Sequence, residues 1–100
     1  MRHYETMYIV DPDVSEETLE ATIARFNKVI TDGNGEVIES GLWDRGRRQL
    51  AYPINRKREG IYVLMQYQSE ADVPKELDRL FRISDDIMRH LIIRTDDKEE

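Results

Sequence analysis

The run Ile61-Tyr62-Val63-Leu64-Met65-Gln66-Tyr67 sets six apolar side chains around a single amide and includes the β-branched Ile61 and Val63. So continuous an apolar stretch reads as a strand in the middle of a sheet. Working outward toward the amino terminus, residues 55–60 read as a basic loop. Ahead of them a long strand starts at Val37-Ile38, is interrupted by Gly41, and resumes through Leu42-Trp43 to Leu50-Ala51-Tyr52. Pro53, which lacks a backbone donor, ends it, and the glycine inside it suggests a bulge or bend. Toward the carboxyl terminus, Asp72 and Pro74 open a helix that carries Leu77, Leu80 and Phe81 on one face, and Asp85-Asp86 closes it. Residues 87–94 form a further strand.

Residues 2–10 are rich in aromatic and β-branched side chains and stop at the turn-forming Asp11-Pro12-Asp13, so they read as the first strand. Ser15 then offers an N-cap hydroxyl, and Glu16, Glu17 and Glu20 put negative charge at the positive end of a helix dipole. Leu19, Ile23, Phe26 and Ile30 follow at spacings of four, three and four, drawing one apolar stripe along a helix over about residues 16–32. Gly33-Asn34-Gly35 ends it. The order strand, helix, strand, strand, helix, strand predicts an α+β, ferredoxin-like βαββαβ sandwich. Right-handed crossovers place strand three between strands one and two, and put both helices on one face of a four-stranded antiparallel sheet. The two helical stripes are the expected core. A chain of 100 residues supports one such core, which is expected over residues 1–95 with a short acidic tail at 96–100.

Several function classes drop out. With no cysteine there is no disulfide framework, thiolate zinc site or cysteine nucleophile. Met1-Arg2-His3-Tyr4-Glu5 lacks the apolar core of a signal peptide, and no run approaches the roughly 20 apolar residues of a membrane helix. The expectation is a soluble intracellular protein with no membrane contact. His3 and His90, the only histidines, fall on neighbouring strands, but nothing joins them to make a metal or acid–base site. Glu16, Glu17 and Glu20 serve the helix dipole, and Gly33-Asn34-Gly35 lacks the lysine and hydroxyl of a phosphate-binding loop. No enzyme, metal, cofactor or small-molecule substrate is expected.

The net charge of −6 hides an asymmetry. Residues 1–44 carry three basic and ten acidic side chains, whereas residues 45–58 carry Arg45, Arg47, Arg48, Arg56, Lys57 and Arg58 with no acid. Trp43, Tyr52 and a proline are interleaved with these bases. Along a regular strand, Trp43, Arg45 and Arg47 point to one side and Arg48, Leu50 and Tyr52 to the other. Guanidinium forks suit phosphate oxygens and planar rings stack on unpaired bases, so the composition fits an RNA surface. The plainer reading is a charged edge strand kept from aggregating. The tyrosines Tyr4, Tyr8, Tyr62 and Tyr67 are not spaced like the stacking residues of an RNA-recognition motif and are read as packing residues.

The start Met1-Arg2-His3-Tyr4-Glu5, the string Gly46-Arg47-Arg48-Gln49-Leu50-Ala51-Tyr52-Pro53-Ile54, the strand Tyr62-Val63-Leu64-Met65, and Phe81-Arg82-Ile83 ahead of Leu91-Ile92-Ile93-Arg94 resemble bacterial small-subunit ribosomal protein six. The resemblance spans essentially the whole chain. It implies a structural, non-catalytic protein of a bacterial or plastid ribosome, in the cytoplasm or the stroma. It further implies binding to the central domain of small-subunit ribosomal RNA beside small-subunit ribosomal protein eighteen, and a monomer when isolated. Carried over residue by residue, its motif falls on Tyr52 and it assigns RNA contact to Arg2, His3, Arg47 and Arg48. Charge alone adds Arg45, Arg56, Lys57 and Arg58. Trp43, Tyr52, Arg82 and Arg89 are candidates for contact with RNA or the partner protein. A longer acidic extension is a glutamate-ligation substrate in some members, whereas this chain stops at Asp96-Asp97-Lys98-Glu99-Glu100.

Overall fold

The computed structural model of the protein describes residues 1–95, leaving aside the side chain of Arg45, so the acidic tail expected at 96–100 lies outside the described residues. Its elements run β1 (Arg2–Val10), α1 (Glu16–Asp32), β2 (Glu36–Ile54), β3 (Lys57–Ser69), α2 (Asp72–Ile83) and β4 (Ile87–Arg94). The sheet is antiparallel and four-stranded, in the order β2-β3-β1-β4, as the crossover rule requires. β1 and β3 are therefore interior, and β2 and β4 are the edges.

Local chemistry explains where α1 begins. The Ser15 hydroxyl accepts the Thr18 N–H at 3.1 Å, and Glu16 and Glu17 occupy the first turn. At its other end, the Gly33 N–H reaches the carbonyls of Val29 and Ile30. α2 has no side-chain cap. Ala71 stands at its N-cap, and Asp72 supplies the favourable charge in the first turn.

Both helical stripes face the same side of the sheet. Leu19, Phe26 and Ile30 from α1 and Val73, Leu77 and Phe81 from α2 are buried against Tyr4, Tyr8 and Val10 of β1 and Ile61, Val63, Met65 and Tyr67 of β3, with Ile23 and Leu80 packed at the margin. Tyr8, Phe26 and Phe81 form an aromatic knot with ring centroids 4.6–5.3 Å apart. Offset and tilted rings at this range add to the burial of their apolar area. Tyr67 hydrogen-bonds Thr6 Oγ1 at 3.0 Å, so one buried phenol is matched by one buried hydroxyl.

No helix covers the opposite face. Glu5, Met7 and Ile9 of β1 and Tyr62, Leu64 and Gln66 of β3 alternate with the buried positions and are only half-buried. The apolar run 61–67 is therefore buried on one side rather than two, and Tyr62 packs instead on Trp43, with ring centroids 5.9 Å apart.

β2 departs from the regular strand that its sequence suggests. Its register slips between Val37 and Glu39, between Leu42 and Arg47 and between Gln49 and Ile54, not at Gly41, which pairs with Leu64. Within the second slip Asp44 (φ 56°) and Gly46 (φ 86°) adopt left-handed backbone, the region glycine enters without cost. Pro53 stays inside the strand. β2 is an edge, where a missing donor is tolerated. The basic loop expected at 55–60 is instead a two-residue turn, Asn55-Arg56, with both residues at positive φ (51° and 68°) and Ile54 paired to Lys57. This is the hairpin geometry whose twist matches the flanking strands. Residues 57–60 belong to β3.

Candidate nucleic-acid interface

β1 ends its pairing with β3 at Val10 and Ile61, while β2 and β3 continue together to the turn at Asn55-Arg56. The basic block thus sits on a hairpin that overhangs the sheet. Gly60 lies so close to β1 that an added Cβ would stand 2.3 Å from Ile9 Cγ2 and 3.4 Å from Leu50 Cδ2. With no side chain there, the hairpin leans across the open face, and Tyr52 reaches Arg89 on β4 at 5.2 Å from guanidinium carbon to ring centroid.

The slip between Leu42 and Arg47 changes which residues share a face. A regular strand would set Trp43 and Arg48 on opposite sides. In the structure the Arg48 guanidinium lies over the Trp43 ring at 4.6 Å and near the Tyr62 ring at 5.9 Å, while its Nη1 donates to Asp44 Oδ2 at 3.2 Å. Four residues between the paired positions, rather than an alternating strand, make this stack possible.

The cations of the block fall into groups that their sequence does not distinguish. Arg47 donates from Nη1 to Glu59 Oε1 at 3.2 Å and from Nη2 to the Pro12 carbonyl at 2.9 Å. Lys57 Nζ lies 3.5 Å from Asp11 Oδ1 and donates to Asp13. The hydrogen bond and attraction of Lys57 hold the Asp13 carboxyl below its ordinary range, and the reciprocal contact raises Lys57. Arg56 and Arg58, by contrast, are exposed and have no ion pair, hydrogen bond or ring partner among the described residues. Four acids from outside the 45–58 run, Asp11, Asp13, Asp44 and Glu59, therefore answer three of its bases.

Arg2 and His3 lie at the other end of the sheet, where β1 pairs with Ser69 and Gln68, and do not join the hairpin. His3 Nε2 donates to Gln68 Oε1 at 2.9 Å, and Gln68 donates onward to Glu36 at 2.8 Å. His90 faces the helices and bonds Asp78 of α2 at 2.6 Å, so the two histidines make no common site. Arg82, on α2, is paired with Asp78 at 2.8 Å on the opposite side of the sheet from Arg89. The structure therefore gathers Trp43, Arg47, Arg48, Tyr52, Arg56, Lys57, Arg58 and Arg89 at the hairpin end and leaves Arg2, His3 and Arg82 apart. The acids and Tyr62 were not marked by the sequence. For Asp11 and Asp13 the available signal was their place in the turn that follows β1.

Among the described residues no helix is long and apolar enough to cross a membrane, and no cluster of three or more His, Cys, Asp or Glu is set to hold a metal ion.

Comparison with known proteins supplies the family. The family model described as ribosomal protein S6 matches residues 3–94. Small ribosomal subunit protein bS6 of Clostridium acetobutylicum is 54% identical over 93 residues, covering 93% of this chain and 96% of that protein. Its counterpart in Caldanaerobacter subterraneus subsp. tengcongensis is 50% identical over 97 residues, covering 97% of this chain and all of that protein. The crystal structure of 30S ribosomal protein S6 from Thermotoga maritima superposes with a TM-score of 0.88 at 30% identity, covering 97% of this chain and 90% of that one. The resemblance read from Gly46 to Ile54 and the ferredoxin-like architecture both agree with these matches, whose named members are structural proteins rather than enzymes. The chain belongs to the ribosomal protein S6 family of the small ribosomal subunit.

Proposed function

We propose that this protein is a structural constituent of the bacterial small ribosomal subunit that binds the central domain of its ribosomal RNA through the β2–β3 hairpin, beside small-subunit ribosomal protein eighteen. One observation carries the reading. In a chain of net charge −6, the hairpin carries Arg56 at its turn and Arg58 beside it, both exposed and without a partner among the described residues, with two cation-on-ring stacks below them. The free guanidiniums suit phosphate oxygens, and the Trp43 and Tyr52 rings each keep one guanidinium oriented rather than swinging in water. A net-negative protein lacks long-range attraction to a polyanion, so a basic partner supplies the missing charge, and the acids along α1 help orient that partner.

Binding of a labelled central-domain fragment, titrated across salt concentrations with and without an equimolar basic partner, tests this. The pair should bind at least tenfold more tightly than the chain alone, a gain of about 1.4 kcal/mol. Arg56→Ala/Arg58→Ala should lower the magnitude of the salt slope by roughly 0.7 to 0.9 per cation removed. An unchanged slope in the presence of the partner would remove the hairpin from the interface. Gel filtration of the isolated chain should show a monomer.

A further inference from the structure

Asp11-Pro12-Asp13 does more than turn the chain from β1 into α1. The three residues face the hairpin with acceptors in a row, toward Lys57 beside the turn and Arg47 at the base. The Asp11 and Asp13 carboxylates both engage Lys57 Nζ, and the carbonyl of Pro12 between them takes Arg47 Nη2 at 2.9 Å. The loop is itself held in place. Asp13 donates its N–H to Asp11 Oδ1 at 2.9 Å, and Asp11 donates its own to the Asp86 carbonyl at 2.8 Å. Two carboxylates and a carbonyl on an ordered loop offer these cations what consecutive phosphate groups would offer them.

This arrangement splits the hairpin into cations that stand open to a passing polyanion and cations whose donors are already engaged within the chain. Arg56 and Arg58 are open at the turn, whereas Lys57 and Arg47 are already answered by acceptors of the same chain. A nucleic acid that meets the hairpin at random gains the first pair only. One whose other contacts seat a phosphate against Lys57 can displace the loop, because an exposed ion pair is weak and easily exchanged. Affinity for the wrong RNA is lowered more than affinity for the right one, which is how a repulsive element creates specificity.

We propose that Asp11 and Asp13 are specificity-determining positioning residues of the RNA interface: they hold Lys57, and through the Pro12 carbonyl Arg47, as an internal stand-in for phosphate that only correctly seated RNA displaces. The inference rests on the RNA-binding reading above and assigns its regulation to a loop that does not touch RNA in the resting protein. Both acids act through the cations they hold.

The test compares the full chain, Asp11→Asn/Asp13→Asn, and the charge-matched control Glu70→Gln/Asp72→Asn, whose residues follow Ser69 at the opposite end of the sheet from the hairpin. Each is titrated with an oligouridylate and, together with the basic partner, with the central-domain RNA fragment, over a range of salt. Removing the two aspartates should steepen the oligouridylate salt slope by about 0.7 for the freed Lys57. It should also shrink the preference for the central-domain fragment at least threefold. The control should shift affinity for both RNAs alike and leave the slope as it was. Lys57→Ala added to the aspartate variant should cancel the gain, and Asp13→Glu alone should keep the slope of the parent. Equal slopes for the aspartate variant and the control would overturn the proposal while leaving the RNA reading intact. Absence of salt-dependent binding by the parent with its partner would instead overturn the RNA reading and this inference with it. Circular dichroism of each variant confirms that slopes are compared between folded proteins.

Discussion

Arg89 and Tyr52 belong to the two edge strands of the sheet, which are never neighbours in the order β2-β3-β1-β4, yet the guanidinium carbon of one stands 5.2 Å from the ring centroid of the other. The overhanging hairpin is thus tied back across the open face to β4.

Breaking that tie should loosen the hairpin and little else. Tyr52→Ala and Arg89→Ala should each cost no more than about 1 kcal/mol, and a double-mutant cycle should return a coupling of about 0.5–1 kcal/mol, the range for exposed cation–ring pairs. Hydrogen exchange should quicken for amides between Arg48 and Arg58 while those of β1 keep their protection. A coupling near zero would mean that the hairpin is held by its base alone.

Phe26 stands at the centre of the aromatic knot and is fully buried between Tyr8 and Phe81. Phe26→Ala should cost about 3 to 5 kcal/mol, enough to bring a small domain close to unfolding at room temperature. Chemical denaturation gives the answer directly, and a midpoint matching the parent would show that the cavity closes without penalty.

Arg56 occupies left-handed backbone at φ 68° in the second position of the hairpin turn, where glycine is the favoured residue. Arg56→Gly should therefore stabilise the protein by about 1 kcal/mol. The same change removes a free cation and should reduce the salt slope of RNA binding by roughly 0.7 to 0.9. Opposite signs for thermal stability and RNA affinity are the expected signature, and a loss in both would show that the arginine contributes to the turn itself.

Acid should weaken the contact between α2 and β4. The hydrogen bonds of Arg82 and then His90 hold the Asp78 carboxyl below its ordinary value of 3.8. A depressed folded pKa means that the contact stabilises the fold fully above the ordinary value and loses that contribution as pH falls through the lower one. The difference in thermal midpoint between the parent and Asp78→Asn should close as pH drops below about 4. A gap that stays constant into strong acid would show that the carboxylate charge is not what matters there.

The parts of this fold that can be read from sequence are those decided by near neighbours. α1 runs from Glu16 to Asp32 as expected because Ser15, the first-turn glutamates and the spacing of Leu19, Ile23, Phe26 and Ile30 all act within a few residues of one another. The hairpin is hidden in the sequence for a local reason too. Asn55-Arg56 lacks the glycine that marks such a turn, and Lys57-Arg58-Glu59-Gly60 has the composition of a loop, yet cross-strand pairing carries it as strand. Alternation sets Trp43 on the wrong side of Arg48 because it counts residues, and a three-residue slip in register does not announce itself in composition. The aspartate loop and Lys57 are more than forty positions apart, and only the folded chain brings them together. The candidate site was legible as a charge pattern, while its division into engaged and open cations was not.

The strand order has a consequence for how the protein is made. β1 leaves the ribosome first, but both of its partners come late: Val10 pairs with Ile61, and Tyr4 pairs with Arg94. Until β3 and β4 have been synthesised, β1 has no neighbour, and the apolar stripe of α1 has no sheet to cover. Closure of such distant contacts costs chain entropy before any packing rewards it. A nascent chain of this topology therefore completes its sheet only once β4 has emerged, and until then Glu16, Glu17 and Glu20 are the charges that stand beside its uncovered apolar stripe.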